Sequence, residues 1–138
     1  MTDADLIAKK LALIETYVRE LRALARPDDI PSDVRERRFV EHTLQIAIQA
    51  ALDVASHVVS SERFGEPNTN RELFEILARH GWLDEQLGET LRDMAGFRNI
   101  LVQGYTAVDT RILQDVLERH LDDLLAFAAT IRARLTAA

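Results

Sequence analysis

Apolar residues recur along this chain at alternating steps of four and three, which is the spacing of one face of a helix. The first such stretch runs from about Asp3 to Arg26. Pro27 ends it, because proline lacks an amide donor and biases the residue before it away from helical geometry. The stripe that predicts this first helix consists of Ile7, Leu11, Ile14, Val18, Leu21 and Ala25.

A second, longer helix is predicted from near Asp33 to about Ser61. Asp33 and Glu36 have the spacing of a capping box, in which each side chain bonds a free amide at the helix start. Residues 44–59 are apolar on most sides of a helix. This pattern predicts the central helix of a bundle, because a helix that is apolar all round must be covered all round.

Three capped segments fill the second half of the chain, and their predicted caps are Thr69, Asp84 and Asp109. The first is a short helix from Glu72 to Arg79. The second ends at Gly104 and carries an apolar row: Leu87, Leu91, Met94, Phe97, Leu101 and, turning slightly, Tyr105. The third has its own stripe: Leu117, Leu121, Leu124, Ala128, Ile131 and Leu135.

Long helices joined by short connections predict an all-α fold, an up-and-down bundle of four to five helices. Neither repeats nor a linker interrupt the sequence, so residues 1–138 are interpreted as one domain. The apolar faces of the second and fourth helices are broader than one small bundle readily covers. Two-fold pairing is the commonest way to bury such surface, and we therefore expect a homodimer.

Composition narrows the chemistry that the chain can perform. It has no Cys, which excludes disulfides and thiolate ligands or nucleophiles, and its four dispersed His residues make a poor metal site. A net charge of −6 argues against broad coating of nucleic acid but leaves room for a small cationic cleft. No apolar run approaches the roughly 20 residues that span a bilayer, and the acidic N-terminus lacks the form of a secretion signal. The sequence therefore predicts a cytoplasmic protein without a membrane segment.

Polar side chains interrupt the apolar helix between Phe97 and Tyr105. Arg98 and Tyr105 are seven residues apart and align on one face, while Asn99 and Gln103, four apart, form a neighbouring row. A polar group among apolar neighbours costs desolvation free energy unless it has a partner or a function. This segment is therefore the candidate functional site.

Four polar residues step by four through the second helix: Gln45, Gln49, Asp53 and His57. If the second and fourth helices pack together, Asp53 or His57 could meet Arg98. Taken alone, a structural interpretation is favoured, in which Arg98 and Asp53 form a buried ion pair that fixes helix register. In that interpretation His57 is a core histidine, and Asn99 and Gln103 bond each other.

The order Arg98-Asn99, three residues, then Gln103-Gly104-Tyr105 resembles the Arg-x4-His-x-Tyr motif of HEPN-domain ribonucleases. Within them it is similar to the HepT-type toxins of bacterial and archaeal toxin–antitoxin pairs. Three further segments resemble that family in order and spacing: residues 53–57, 70–77 and 91–99. The resemblance extends from Val40 to Ile131, and the motif is specific because it stands in a matching helical frame.

This resemblance implies a HEPN-like bundle that cleaves RNA as a homodimer, without a metal ion or cofactor, in a cleft lined by both protomers. Arg98 then corresponds to the residue that stabilises charge on the phosphate oxygens, with Asn99 as its polar neighbour. Asp53 corresponds to an acidic residue that orients Arg98. Tyr105 corresponds to the tyrosine that a MntA-type nucleotidyltransferase antitoxin modifies with AMP.

The chain departs from the family motif at its catalytic position, because Gln103 stands where the family has His. A glutamine amide does not titrate near neutral pH, and losing a general acid or base costs about 10²–10⁴-fold in rate. Three explanations of Gln103 are open: the chain is an inactivated toxin, it is a natural pseudo-enzyme, or His57 transfers the proton instead. The first two are favoured, because His57 lies on another helix. The rival hypotheses are a non-catalytic dimeric helical module that binds a nucleotidyltransferase partner, and a bundle that binds a small nucleotide.

Overall fold

The computed structural model describes residues 3–103 and 108–136, and this part of the chain contains helices and turns but no strand. A π-helical turn at Val116–His120 joins the last two helices into one continuous body, so the prediction of an all-α bundle of four to five helices is confirmed. The helices are α1 (Ala4–Leu24), α2 (Val34–Ser61), α3 (Asn70–Arg79), α4 (Glu85–Gln103), α5 (Thr110–Asp115) and α6 (Leu121–Thr136).

The helix starts follow from local sequence, because acidic and hydroxyl side chains accept hydrogen bonds from the free backbone amides of the first turns. Asp33 caps α2 by accepting from the amides of Arg35 and Glu36, and Thr69 caps α3. The Asp33 half of the predicted Asp33–Glu36 capping box is confirmed, but the Glu36 half is wrong. The Glu36 carboxylate accepts instead from the backbone amide of Arg26 at 2.8 Å, and so it secures the connection between α1 and α2.

The central position of α2 is confirmed by its packing against α1, α3, α4 and α6. Its apolar sides are therefore covered within one protomer, and they supply no reason for dimerisation. The end of α4 differs, because Ile100 and Val102 remain 47% and 46% exposed.

The last helix is wound differently from the prediction. Its buried side chains step from Leu113 to Val116 and then five residues on to Leu121, which is the spacing of a π-turn. Leu117, which was expected on the buried stripe, is only half-buried because the extra residue rotates it away.

Helices α3 and α4 cross at close range where both present small residues. A Cβ atom added to Gly88 would lie 2.8 Å from the Cβ of Ala78, so only glycine fits at this crossing. Of the described helices, none is long and apolar enough to cross a membrane.

Candidate functional site

The last two turns of α4 carry the predicted site residues. Arg98 and Asn99 are half-buried, and Gln103, the final residue of α4, is exposed. The Arg98 Nη1 donates to the Asn99 Oδ1 at 3.2 Å. The Asn99 oxygen thus faces Arg98, and no bond between Asn99 and Gln103 is present in the described chain. Tyr105 lies outside the described residues.

The guanidinium of Arg98 retains unused hydrogen-bonding capacity. Its Nε is buried and has no partner within residues 3–103 and 108–136, and in the same ranges Arg98 pairs with no carboxylate. An unsatisfied buried donor is costly, and a guanidinium offers five donors in a planar fork. This arrangement suits an anion with two or more acceptor oxygens, such as a phosphate.

Asp53 is engaged elsewhere. Its Oδ2 lies 3.1 Å from the Lys10 Nζ of α1, and its Oδ1 accepts from the Gln49 Nε2 at 2.8 Å. The predicted ion pair between Asp53 and Arg98 is therefore wrong, because this stretch of α2 packs against α1 and meets a lysine there. Sequence reasoning overlooked Lys10, whose position just off the apolar stripe of α1 was the available signal.

His57 is held at the same α1–α2 junction. Its Nε2 accepts from the backbone amide of Asp3 at 3.0 Å. With Lys10 and Asp53 it lines a groove of about 310 Å³, to which α1 and α2 contribute all the lining residues. The structure therefore does not bring His57 to the end of α4, and it gives no support to His57 as a substitute for the missing histidine.

A second arginine lies against α4 near the motif, and the sequence analysis did not single it out. An ideal Cβ on Gly96 would lie 3.6 Å from the Arg71 Nε and 3.7 Å from its Cζ. The guanidinium of Arg71 thus rests over a glycine one turn before Asn99. A glycine inside a helix, where it costs stability, was the signal that could have been followed.

Arg92 lies on α4 one turn before Gly96, and carboxylates neutralise its charge. Its Nη1 donates to the Glu75 Oε1 at 3.2 Å, and its Nη2 lies 3.6 Å from the Asp93 Oδ1. The hydrogen bond to Glu75 raises the pKa of Arg92 further above its ordinary value. The Nε of Arg92 is buried without a partner, as is that of Arg98, but Arg92 has two carboxylates beside it and Arg98 has none in the described ranges. In the described ranges no three His, Asp or Glu residues converge as a metal site would require.

Comparison with known proteins gives a consistent result. A family model described as Ribonuclease HepT-like matches residues 10–131. The mRNA nuclease HepT of Shewanella oneidensis is 28% identical over 130 residues, which covers 94% of this chain and 98% of that protein. The tRNA nuclease HepT of Aphanizomenon flos-aquae is 31% identical over 106 residues, or 75% of this chain and 72% of that protein.

A solved structure shows the same fold. It is that of a tri-AMPylated HEPN toxin of Shewanella oneidensis in complex with an MNT antitoxin. The two chains superpose with a TM-score of 0.87 at 27% identity, covering 95% of this chain and 99% of the toxin.

Proposed function

The chain belongs to the Ribonuclease HepT-like family, and we propose that it is the toxin of a toxin–antitoxin pair that binds and cleaves RNA without a metal ion or cofactor. We propose further that residues 1–138 form one helical domain. This domain acts in the cytoplasm, where its RNA substrate is found. The observation that carries the proposal is the half-buried side chain of Arg98, which is bonded to Asn99 on the same helix end as position 103.

The chemistry divides between these positions. The Arg98 fork stabilises the negative charge that grows on the phosphate oxygens during cleavage, and Asn99 holds that fork in place. Position 103 is where a histidine would take a proton from the attacking ribose hydroxyl or return one to the leaving oxygen. Gln103 can hydrogen-bond but cannot transfer a proton at neutral pH, so this chain binds RNA and cleaves it weakly or not at all.

The relatives support an antitoxin as the partner of this chain. The Shewanella toxin is AMPylated in a complex with its antitoxin, and two similar proteins are nucleases of mRNA and tRNA. For this chain we propose a homodimer in which the Arg98 segments of two protomers share one cleft. A nucleotidyltransferase antitoxin of the MntA type then adds AMP to Tyr105 and blocks that cleft with further negative charge.

Restoring the missing histidine tests the enzymatic claim. Gln103→His is expected to raise the rate of RNA cleavage by about 10²-fold or more over the parent chain, because it supplies the titrating group. The matched control is Gln86→His, since Gln86 is also an exposed glutamine of α4 but lies near its first turn. Cleavage that stays at the parent level in Gln103→His would contradict the proposal.

The alternative function is a non-catalytic dimeric module that binds the nucleotidyltransferase, and Gln103 itself favours it. Adding Arg98→Ala to Gln103→His separates the two functions. For an enzyme, cleavage disappears while the melting temperature hardly changes, because Arg98 has no ion pair within the described chain. For a module, neither variant cleaves RNA, and both still bind the partner.

The modification can be tested by mass. Co-expression with the cognate antitoxin is expected to add AMP to the peptide that contains Tyr105, and Tyr105→Phe is expected to abolish the added mass. Tyr17 is the only other tyrosine in the sequence, so Tyr17→Phe is the matched control and should leave the modification intact. This regulation would be ruled out if the Tyr105 peptide stayed unmodified in cells that express both this chain and an active antitoxin.

A further inference from the structure

One face of α4 connects the Arg71 contact with position 103. Gly96, Asn99 and Gln103 are separated by three and four residues, and such spacing places them on one side of a helix. At about 1.5 Å per residue, Gly96 lies about 4.5 Å along the axis from Asn99 and about 10 Å from Gln103. Arg71, which rests over Gly96, is therefore on the same side of α4 as the position where the family carries its histidine.

Arg71 packs beside Gly96 at ordinary contact distance. The Cδ, Nε and Cζ of Arg71 lie 3.6–3.7 Å from where a Cβ would stand, so the end of the Arg71 side chain lies over this position of α4 and leaves room for a methyl group. Arg71 itself is exposed, and in the described part of the chain it makes no ion pair. Its charge is thus presented to solvent at the edge of the candidate site, unlike that of Arg92, which two carboxylates neutralise.

We propose that Arg71 is a second phosphate-binding residue of the RNA site, contacting another phosphate of the strand on the side of α4 that carries Gly96, Asn99 and Gln103. This inference rests on the proposed function. A chain with net charge −6 repels a polyanion at long range, so RNA binding needs local cations that are free of carboxylates. An arginine fork suits this task because it can donate two parallel hydrogen bonds to phosphate oxygens.

Salt dependence of RNA binding tests this role directly. Each phosphate contact to a single strand contributes about 0.7 to the slope of log affinity against log salt. We expect Arg71→Ala in the Gln103 chain to weaken binding of a single-stranded RNA about tenfold at low salt. We expect it also to lower that slope by about 0.7.

The matched control is Arg79→Ala. Arg79 is an exposed arginine of the same helix, but it lines a groove with Glu75, Glu85 and Glu89 at the other end of α3. This variant is expected to keep the parent slope. Arg71→Lys is expected to keep the slope as well, because the charge remains, but to lose part of the affinity with the fork.

Three results would overturn the inference. If the parent binds RNA and Arg71→Ala binds it with the same slope, Arg71 makes no phosphate contact while the proposed function stands. If Arg71→Ala halves the solution mass or weakens only antitoxin binding, Arg71 belongs to a protein interface. If neither the parent nor Gln103→His binds or cleaves RNA, the proposed function itself fails and takes this inference with it.

Discussion

At the scale of single residues, the site is built from one arginine that has little support from the rest of the protomer. Arg98 bonds Asn99, its neighbour in the chain, and its buried Nε has no partner in the described ranges. Asp53, which could have neutralised it, bonds Lys10 and Gln49 instead. An anion bound here would therefore meet a guanidinium that no carboxylate of the described chain neutralises.

Asp53 gives a prediction at this scale, because its contacts are structural. Asp53→Asn removes the ion pair with the half-exposed Lys10 and is expected to lower the free energy of unfolding by about 0.5–1 kcal/mol. In the Gln103→His background it is expected to leave the rate of RNA cleavage within about twofold, since Asp53 does not contact Arg98. Denaturant unfolding and a cleavage assay check the two halves, and a large loss of cleavage without unfolding would show that Asp53 orients Arg98 after all.

At the scale of helices, two glycines of α4 differ in the space that surrounds them. Gly88 lies at the crossing with α3, where an added Cβ would stand 2.8 Å from Ala78 and 3.4 Å from the Phe74 carbonyl. Gly96 faces only the flexible end of Arg71, at ordinary contact distance. The same substitution therefore meets a rigid neighbour at one position and a movable one at the other.

This contrast predicts effects of opposite sign. Gly88→Ala is expected to lower the free energy of unfolding by about 1–3 kcal/mol, because overpacking forces α3 and α4 apart. Gly96→Ala is expected to raise it by up to about 1 kcal/mol, since alanine favours the helix and no neighbour must move. Urea unfolding of both variants beside the parent measures the two values, and a stable Gly88→Ala would mean that the helices do not cross so closely.

One of the ion pairs between α1 and α6, that of Glu15 with Arg132, gives a pH-dependent prediction. Arg132 donates to both carboxylate oxygens of Glu15, at 2.6 and 3.0 Å, and this bonding lowers the pKa of Glu15 below its ordinary value. A lowered folded-state pKa means that the pair stabilises the fold above the ordinary carboxyl pKa. This stabilisation is lost as the pH falls through the folded-state pKa.

A double-mutant cycle with Glu15→Gln and Arg132→Ala measures this coupling. Both side chains are about one-third or more exposed, so screening by solvent limits the expected coupling to about 0.5–1 kcal/mol at pH 7. The coupling is expected to fade below about pH 4.5. A coupling that stayed constant down to about pH 3 would show that the charge on Glu15 is not its source.

What the sequence could predict at this scale depended on how far each interaction reaches. Caps such as Asp33 and Thr69 act within three residues, so local spacing was enough to locate them. The partner of Asp53 depends on which helix packs against that part of α2, and no periodicity within α2 contains that information. The contact between Arg71 and Gly96 likewise forms only when α3 packs against α4.

At the scale of the whole molecule, two of the exposed apolar side chains lie at the site. Ile100 and Val102 lie within the Arg98 motif on α4 and remain nearly half exposed, while the apolar faces of α2 are covered internally. If two protomers share one cleft, burial of this end of α4 would bring their Arg98 side chains towards each other. We therefore expect the proposed homodimer to form through this end of α4.

Changing that surface predicts a change in solution mass. The parent is expected to have twice the protomer mass, and Ile100→Glu is expected to shift it to the protomer mass because it buries a charge at the interface. Val34→Glu is the matched control, since Val34 is 55% exposed at the start of a different helix, α2. Light scattering after size-exclusion chromatography measures both, and a parent that runs as a monomer at all concentrations would remove the dimer.

The widened turn at Val116–His120 has a consequence for changes in chain length. Deleting one residue there would restore ordinary helical winding, but it would rotate α5 relative to α6 by about 100°. Leu113 and Val116, now fully or almost fully buried, would then leave the core together. An insertion or deletion in this stretch is thus expected to be far more harmful than a substitution, although its backbone alone would accommodate either length.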